Sequence, residues 1–149
     1  MSTQQYVAYP TRLITRVGPR LSLGGSWEYV AQDEEYDTVV TVCWPGEGRL
    51  APPCGWEADL GFEDGPVLPP AARLRAISAL VAQEVQEGND VLVRCYMGLN
   101  RSGLIVAGAL HQMTGRSGAD ILADLRELRS PDVLYNPVFE NYVKSLRYQ

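Results

Sequence analysis

The feature that most limits what this chain can fold into is the stretch from Val91 to Met113. It holds an apolar, β-branched run, Val91-Leu92-Val93, then a loop of mixed residues, then a segment from Ser102 to Met113 that is apolar on most sides. A short apolar run ahead of turn residues reads as a buried strand, and a dozen residues with little polar face read as a central helix. A strand covered on both faces that feeds directly into a buried helix belongs in the middle of a layered α/β structure.

The flanking sequence supports that architecture. Arg12 to Val17 and Leu21 to Leu23 read as two short strands about a turn at Gly18-Pro19, and Thr38 to Cys43 reads as a buried strand. Ser26 to Gln32 is expected to make a turn or two of helix, and Trp44 to Gly55, dense in Pro and Gly, reads as a loop. Trp56 to Leu60 is a candidate short strand before the turn Glu63-Asp64-Gly65-Pro66. Leu74, Ile77, Val81 and Val85 recur at helical spacing within Pro70 to Glu87, with Gly88 where a C-terminal cap belongs. Ser117 with Asp120 opens a helix carrying Ile121, Leu122, Leu125 and Leu128; Asn136-Pro137 opens a last one carrying Phe139, Val143 and Leu146. Strands alternating with helices, then consecutive helices, predict an α/β fold with a mostly parallel central sheet flanked by helices.

At 149 residues the chain is expected to form one domain, residues 1–149, with a core that needs no staples. A formal net charge of −5 argues against a general nucleic-acid binder, so an anionic substrate would need a locally positive pocket. The three cysteines, Cys43, Cys54 and Cys95, lack metal-ligand spacing, and His111 is the single histidine. Reduced thiols in a cytosol-like compartment are therefore expected, with no metal. The longest apolar runs fall far short of the ~20 residues that span a bilayer, so no membrane partner is expected.

Chemistry concentrates between the strand and the helix, in Cys95-Tyr96-Met97-Gly98-Leu99-Asn100-Arg101-Ser102. A loop of successive backbone N–H groups closing onto a helix N-terminus forms a concave nest for an anion. The same field, with Arg94 and Arg101 nearby, is expected to favour the Cys95 thiolate. The planar guanidinium of Arg101 can grip two phosphoryl oxygens, Gly98 lets the backbone turn inward, and the Ser102 hydroxyl can donate to the sulfur. Tyr96, Met97 and Leu99 are expected either to rim the pocket or to pack behind it.

Cys95, five intervening residues with Gly98 third among them, and then Arg101-Ser102 resemble the phosphate-binding loop of protein-tyrosine and dual-specificity phosphatases. The segments Leu21-Ser22-Leu23-Gly24-Gly25 and Leu128-Arg129-Ser130-Pro131, the latter followed by Asn136 and Phe139, are similar to that family's early strand and C-terminal segment, so the resemblance covers most of the chain. It implies a dual-specificity-phosphatase-like fold, a phosphorylated protein or peptide as substrate, and a cytoplasmic setting. It further implies a phosphocysteine intermediate on Cys95, phosphate held by the loop from Tyr96 to Arg101, and no metal or other cofactor. The family's general acid is an aspartate about thirty residues before the nucleophile. Asp64 lies 31 positions upstream of Cys95 in a Gly- and Pro-containing loop, with Glu63 and Asp59 as competitors.

One position departs from the pattern: the residue before the nucleophile, His in the family, is Arg94. If its side chain points away from the loop, the thiolate loses that support. Cys43, at the end of a strand expected beside that of Cys95, could form a reversible disulfide with it, and His111 is assigned no role. The leading expectation is hydrolysis of phosphotyrosine, with phosphoserine and phosphothreonine as a wider range. Gly98-Leu99-Asn100-Arg101-Ser102-Gly103 is also similar to the loop of RNA 5′-triphosphatases on the same fold, and a non-catalytic phosphate-binding module is a third reading.

Overall fold

The computed structural model describes residues 14–25, 36–43 and 54–149. The expected helix over Ser26 to Gln32, residues Arg12 and Leu13 of the first strand, and most of the loop from Trp44 lie outside the described residues.

In chain order the elements are β1 (Ile14–Gly18), β2 (Leu21–Gly25), β3 (Tyr36–Thr41), β4 (Cys54–Asp59), α1 (Ala71–Gln86), β5 (Val91–Cys95), α2 (Arg101–Thr114), α3 (Gly118–Leu128) and α4 (Pro137–Lys144). The five strands form one sheet in the order β1-β2-β5-β3-β4. β1 pairs antiparallel with β2, and the other three pairings are parallel, so the sheet is mixed but mostly parallel as the sequence predicts. Two boundaries differ. Cys54-Gly55, read as loop, begin β4 because the chain pairs there with β3, and β5 runs two residues past Val93 to end on Cys95.

β5 is the central strand, and its alternation decides what each residue meets. Val91, Val93 and Cys95 face the large core with Leu21, Leu23, Val40 and Val42, where all four described helices pack. Leu92 faces the opposite way, with Val39 and Tyr36. Every residue of β5 is buried, which is why its sequence is a continuous apolar run interrupted only at Arg94.

α2 touches α1, α3, α4, β5 and β2, which explains why its residues Arg101 to Ala109 are all buried. Gly108 marks its crossing with α1, where a Cβ would collide with the Ser78 side chain. Ser117 caps α3 by accepting from Asp120 N at 3.2 Å, and Asn136 caps α4 by accepting from Val138 N at 3.0 Å, both as the sequence predicts. The parallel strands β2, β5 and β3 end together, and the loop from Cys95 opens at their carboxyl ends, where ligands of open α/β sheets bind.

Candidate active site

The Cys95 sulfur sits at the end of β5, and the chain then curls around it. Gly98 N donates to Sγ at 3.2 Å, and Ser102 Oγ lies 3.1 Å from the same sulfur, with either atom able to donate. Gly98 has φ +73°, and a Cβ there would come within 2.6 Å of the Gly24 carbonyl and of the Arg129 guanidinium. Both the dihedral and the space therefore demand glycine.

α2 has no side-chain cap, because the amide of Asn100 is used elsewhere. Asn100 Nδ2 donates to Asp64 Oδ2 at 3.0 Å, and Asn100 Oδ1 accepts from Asn136 N at 2.9 Å. The helix N-terminus thus opens toward the sulfur without a local acceptor from its own side chain, an arrangement suited to an anion. Arg101 is buried, and its Nη1 donates to the Phe62 carbonyl at 3.2 Å, which ties the guanidinium to the segment carrying Asp64.

A small cleft is lined by Cys95, Tyr96, Met97, Leu99, Asn100, Arg101, Asp64 and Tyr135. It brings together most of the residues that the sequence singles out. Of the three candidate acids, Asp64 lines the cleft, and Glu63 and Asp59 do not. Asn136 Nδ2 donates to Asp64 Oδ1 at 2.8 Å and to the Gly65 carbonyl at 3.0 Å, so each carboxylate oxygen is held by a different asparagine. The loop residues divide between the two placements foreseen for them. Tyr96 is exposed at the rim, Met97 is partly buried against the core, and the Leu99 side chain lies wholly within the core, leaving its backbone to the cleft.

Arg94 corrects an expectation. It is not beside the sulfur: alternation along β5 puts its side chain on the opposite face, where Nε donates to Thr41 Oγ1 at 3.1 Å and Nη2 reaches Glu57 Oε2 at 3.3 Å. Thr41 Oγ1 in turn donates to Glu57 Oε2 at 2.6 Å, and the charge of Arg94 is answered there.

Sequence reasoning missed three residues. Tyr135 completes the cleft, carried by Leu134, whose φ of +59° lies in the left-handed region that a leucine seldom adopts. That backbone is fixed by Leu134 N donating to the Leu99 carbonyl at 3.0 Å. Burial raises the Tyr135 pKa, the nearby Asp64 adds to the rise, and a hydrogen bond with Asn100 opposes it. Asn136, recognised only as a helix cap, also holds Asp64. Arg129, noted in a segment resembling the family's C-terminal part, is buried under the loop. Burial lowers its pKa to about 10, and Cys95 pushes the other way.

His111 is packed at the far end of α2, its Nδ1 2.8 Å from the Arg116 carbonyl. Cys43 is buried in the same apolar cluster as Cys95, and neither is in a disulfide. Among the described residues no group of His, Cys, Asp and Glu side chains could hold a metal ion, and no helix is long and apolar enough to cross a membrane.

No protein-family model matches the chain, and a search of curated proteins finds no similar sequence. Solved structures do match. Human DUSP28 superposes with a TM-score of 0.73 at 22% identity, over 92% of this chain and 95% of that one. Tk-PTP in its active form gives 0.72 at 21% identity, over 91% and 97%. OH1 from the Orf virus, described as a tyrosine phosphatase with triple substrate specificity, gives 0.64 at 21% identity, over 91% and 88%. The chain has the dual-specificity-phosphatase fold.

Proposed function

We propose that this protein is a phosphatase acting on phosphotyrosine in proteins or peptides, with phosphoserine and phosphothreonine as a wider range, through a phosphocysteine on Cys95. The observation that carries this reading is the convergence of the Cys95 sulfur, the Arg101 guanidinium and the Asp64 carboxyl on one cleft at the N-terminus of α2. The likeness to dual-specificity and tyrosine phosphatase structures supports it.

In the first step the Cys95 thiolate attacks phosphorus, a sulfur–phosphorus bond forms, and the phosphorus–oxygen bond to the alcohol breaks. Asp64 gives its proton to the departing oxygen. Arg101 grips two of the three phosphoryl oxygens, and the N–H groups of the loop and of the α2 N-terminus surround all three. In the second step water attacks phosphorus, Asp64 takes its proton, and Ser102, 3.1 Å from the sulfur, donates to it as the thiolate leaves. No metal is required at either step.

The rim favours an aromatic ester. Tyr96 and Tyr135, 37% and 46% exposed, present rings at the mouth of the cleft, where a flat substrate ring can pack against them. The RNA 5′-triphosphatase reading gains no support: Arg101 is the only cation among the described residues lining the cleft, too little for a triphosphate end.

The test is phosphate release from para-nitrophenyl phosphate and from a phosphotyrosine peptide, whose leaving group is poorer, in the presence of a chelator, for the wild type, Cys95→Ser and Asp64→Ala. Turnover by the wild type, its loss in Cys95→Ser, and slowing in Asp64→Ala on poor leaving groups are the expected results. An inert wild type that still binds phosphate would make the cleft a binding module, and full activity in Cys95→Ser would end the assignment.

A further inference from the structure

The loop that carries Cys95 turns two successive carbonyls toward one side chain. Arg129, at the C-terminal end of α3, donates Nε to the Gly98 carbonyl at 2.7 Å and reaches the Met97 carbonyl with Nη2 at 3.4 Å. Its Nη1 donates to Thr15 Oγ1 of β1 at 2.9 Å, which anchors the guanidinium to the sheet.

In a trans peptide unit the C=O and N–H bonds point in opposite directions. Holding the Met97 carbonyl on Arg129 therefore turns the Gly98 N–H the other way, and that N–H is the one that donates to Cys95 Sγ at 3.2 Å. Holding the Gly98 carbonyl likewise turns the Leu99 N–H into the loop. The guanidinium thus sits behind the anion nest, with the carbonyls outside and the N–H groups inside. Gly98 is what lets it come so close, since a Cβ there would meet Arg129 Nη2 at 2.6 Å.

We propose that Arg129 is the positioning residue of the Cys95 loop: it aims the Gly98 and Leu99 N–H groups and supplies, from behind, the fixed positive charge that the sequence assigned to Arg94. Cys95 acts on its charge, and at neutral pH the guanidinium remains protonated. Arg94 is engaged by Glu57 on the other face of the sheet. This inference rests on reading Cys95 as a reactive thiolate, but its test does not need turnover.

The experiment is alkylation of Cys95 by iodoacetamide, followed by peptide mass mapping across pH, with and without inorganic phosphate. It compares the wild type, Arg129→Gln, Arg129→Lys and Arg94→Gln, each checked for folding by circular dichroism. In Arg129→Gln the midpoint of the alkylation profile should move up, by about one pH unit. Arg129→Lys, which keeps the charge but cannot span two carbonyls, should hold the midpoint near the wild type while needing roughly tenfold more phosphate for protection. Arg94→Gln should leave both readouts unchanged. Folded Arg129 variants with the wild-type midpoint and phosphate protection would overturn the proposal, as would a larger shift in Arg94→Gln than in Arg129→Gln. Should Arg129→Gln not fold, the phosphate requirement of Arg129→Lys decides alone. A wild type that alkylates as expected yet hydrolyses nothing would refute the proposed function and leave this inference standing.

Discussion

Asn136 and Asp64, 72 positions apart in the chain, are joined by a 2.8 Å hydrogen bond from the amide Nδ2 to carboxylate Oδ1, made by the same side chain whose Oδ1 caps α4. One asparagine therefore ties the start of the last helix to the loop bearing the proposed acid. Its backbone N also donates to Asn100 Oδ1 at 2.9 Å, which adds the Cys95 loop to the same junction.

Removing Asn136 should therefore do two separable things. Asn136→Ala loses the cap, a cost of about 1 kcal/mol, and releases Asp64. We expect roughly a tenfold fall in kcat on substrates with poor leaving groups, less than the ~10²- to 10⁴-fold typical of losing a general acid outright. Asn136→Asp restores an acceptor for Val138 N, so stability should return, but it sets a second carboxylate against Asp64, so the rate should not. Melting temperature and kcat measured together on the two variants check this; recovery of both in Asn136→Asp would mean that the bond to Asp64 is idle.

Arg94 should prove dispensable for chemistry. Its guanidinium lies 2% exposed on the face of the sheet away from Cys95 and is held by Thr41 and Glu57. Removing one partner of an ion pair is costly when the charge left behind is buried; Glu57, 30% exposed, keeps its water when Arg94 is replaced, whereas Arg94, 2% exposed, has none to turn to when Glu57 is. Arg94→Met should keep phosphatase activity within about twofold, with a stability change under about 1.5 kcal/mol. Glu57→Gln, which leaves the buried cation without its counter-charge, should cost more stability, about 1–3 kcal/mol. Urea denaturation and steady-state rates on both variants give the comparison.

What the sequence reveals and hides follows the range of the interactions. The loop from Cys95 to Ser102 was legible because strand, turn and helix start are local, and the thiol, Gly98 and Arg101 each have a task within eight residues. The resemblance leaves Asp64, Glu63 and Asp59 as candidate acids; the fold places Asp64 at the cleft by two hydrogen bonds that no local rule could anticipate. The side on which Arg94 lies was partly legible: neighbours along a strand face opposite ways, and with β5 running to Cys95 the Arg94 side chain falls on the far side. Arg129 could not be told from a surface arginine at the end of an amphipathic helix. Its carbonyl partners lie about thirty residues back, and only the packing of α3 against β1 and α2 brings them to it.

Cys43 belongs to the same buried cluster as Cys95, one strand over, and the pairing foreseen from the sequence leads to a defined redox experiment. Peroxide would oxidise the Cys95 thiolate to a sulfenic acid; the Cys43 thiol would then attack that sulfur, forming the disulfide and releasing water. Mild peroxide should yield a Cys43–Cys95 linked peptide by mass spectrometry and an activity recoverable with a thiol reductant. Cys43→Ser should lose that recovery as Cys95 proceeds to irreversible acids. Sulfenic acid at Cys95 with no linked peptide in the wild type would show that the two sulfurs do not meet.

Tyr135 should set the preference for aromatic esters. Its ring reaches the cleft because Leu134 accepts a left-handed backbone, and a position held at such a cost points to use. Packing of a substrate ring on Tyr135 is worth about 0.5–1.5 kcal/mol, roughly 2- to 10-fold in affinity. Tyr135→Ala should therefore raise KM for a phosphotyrosine peptide by about that factor and leave a phosphoserine peptide nearly unchanged, while Tyr135→Phe should behave as the wild type on both. The phenol supplies a pH check. Burial, and then the charge of Asp64, raise its pKa above the ordinary value of 10.0, so below that pH it is neutral in both folded and unfolded chains and adds nothing to the pH dependence of stability. Above it the unfolded chain ionises first, and stability falls as pH rises through that window. Tyr135→Phe should flatten this alkaline loss, seen as a smaller drop in denaturation midpoint than in the wild type. Equal losses in the two proteins, with equal KM values for Tyr135→Ala and the wild type, would place the ring outside the substrate path.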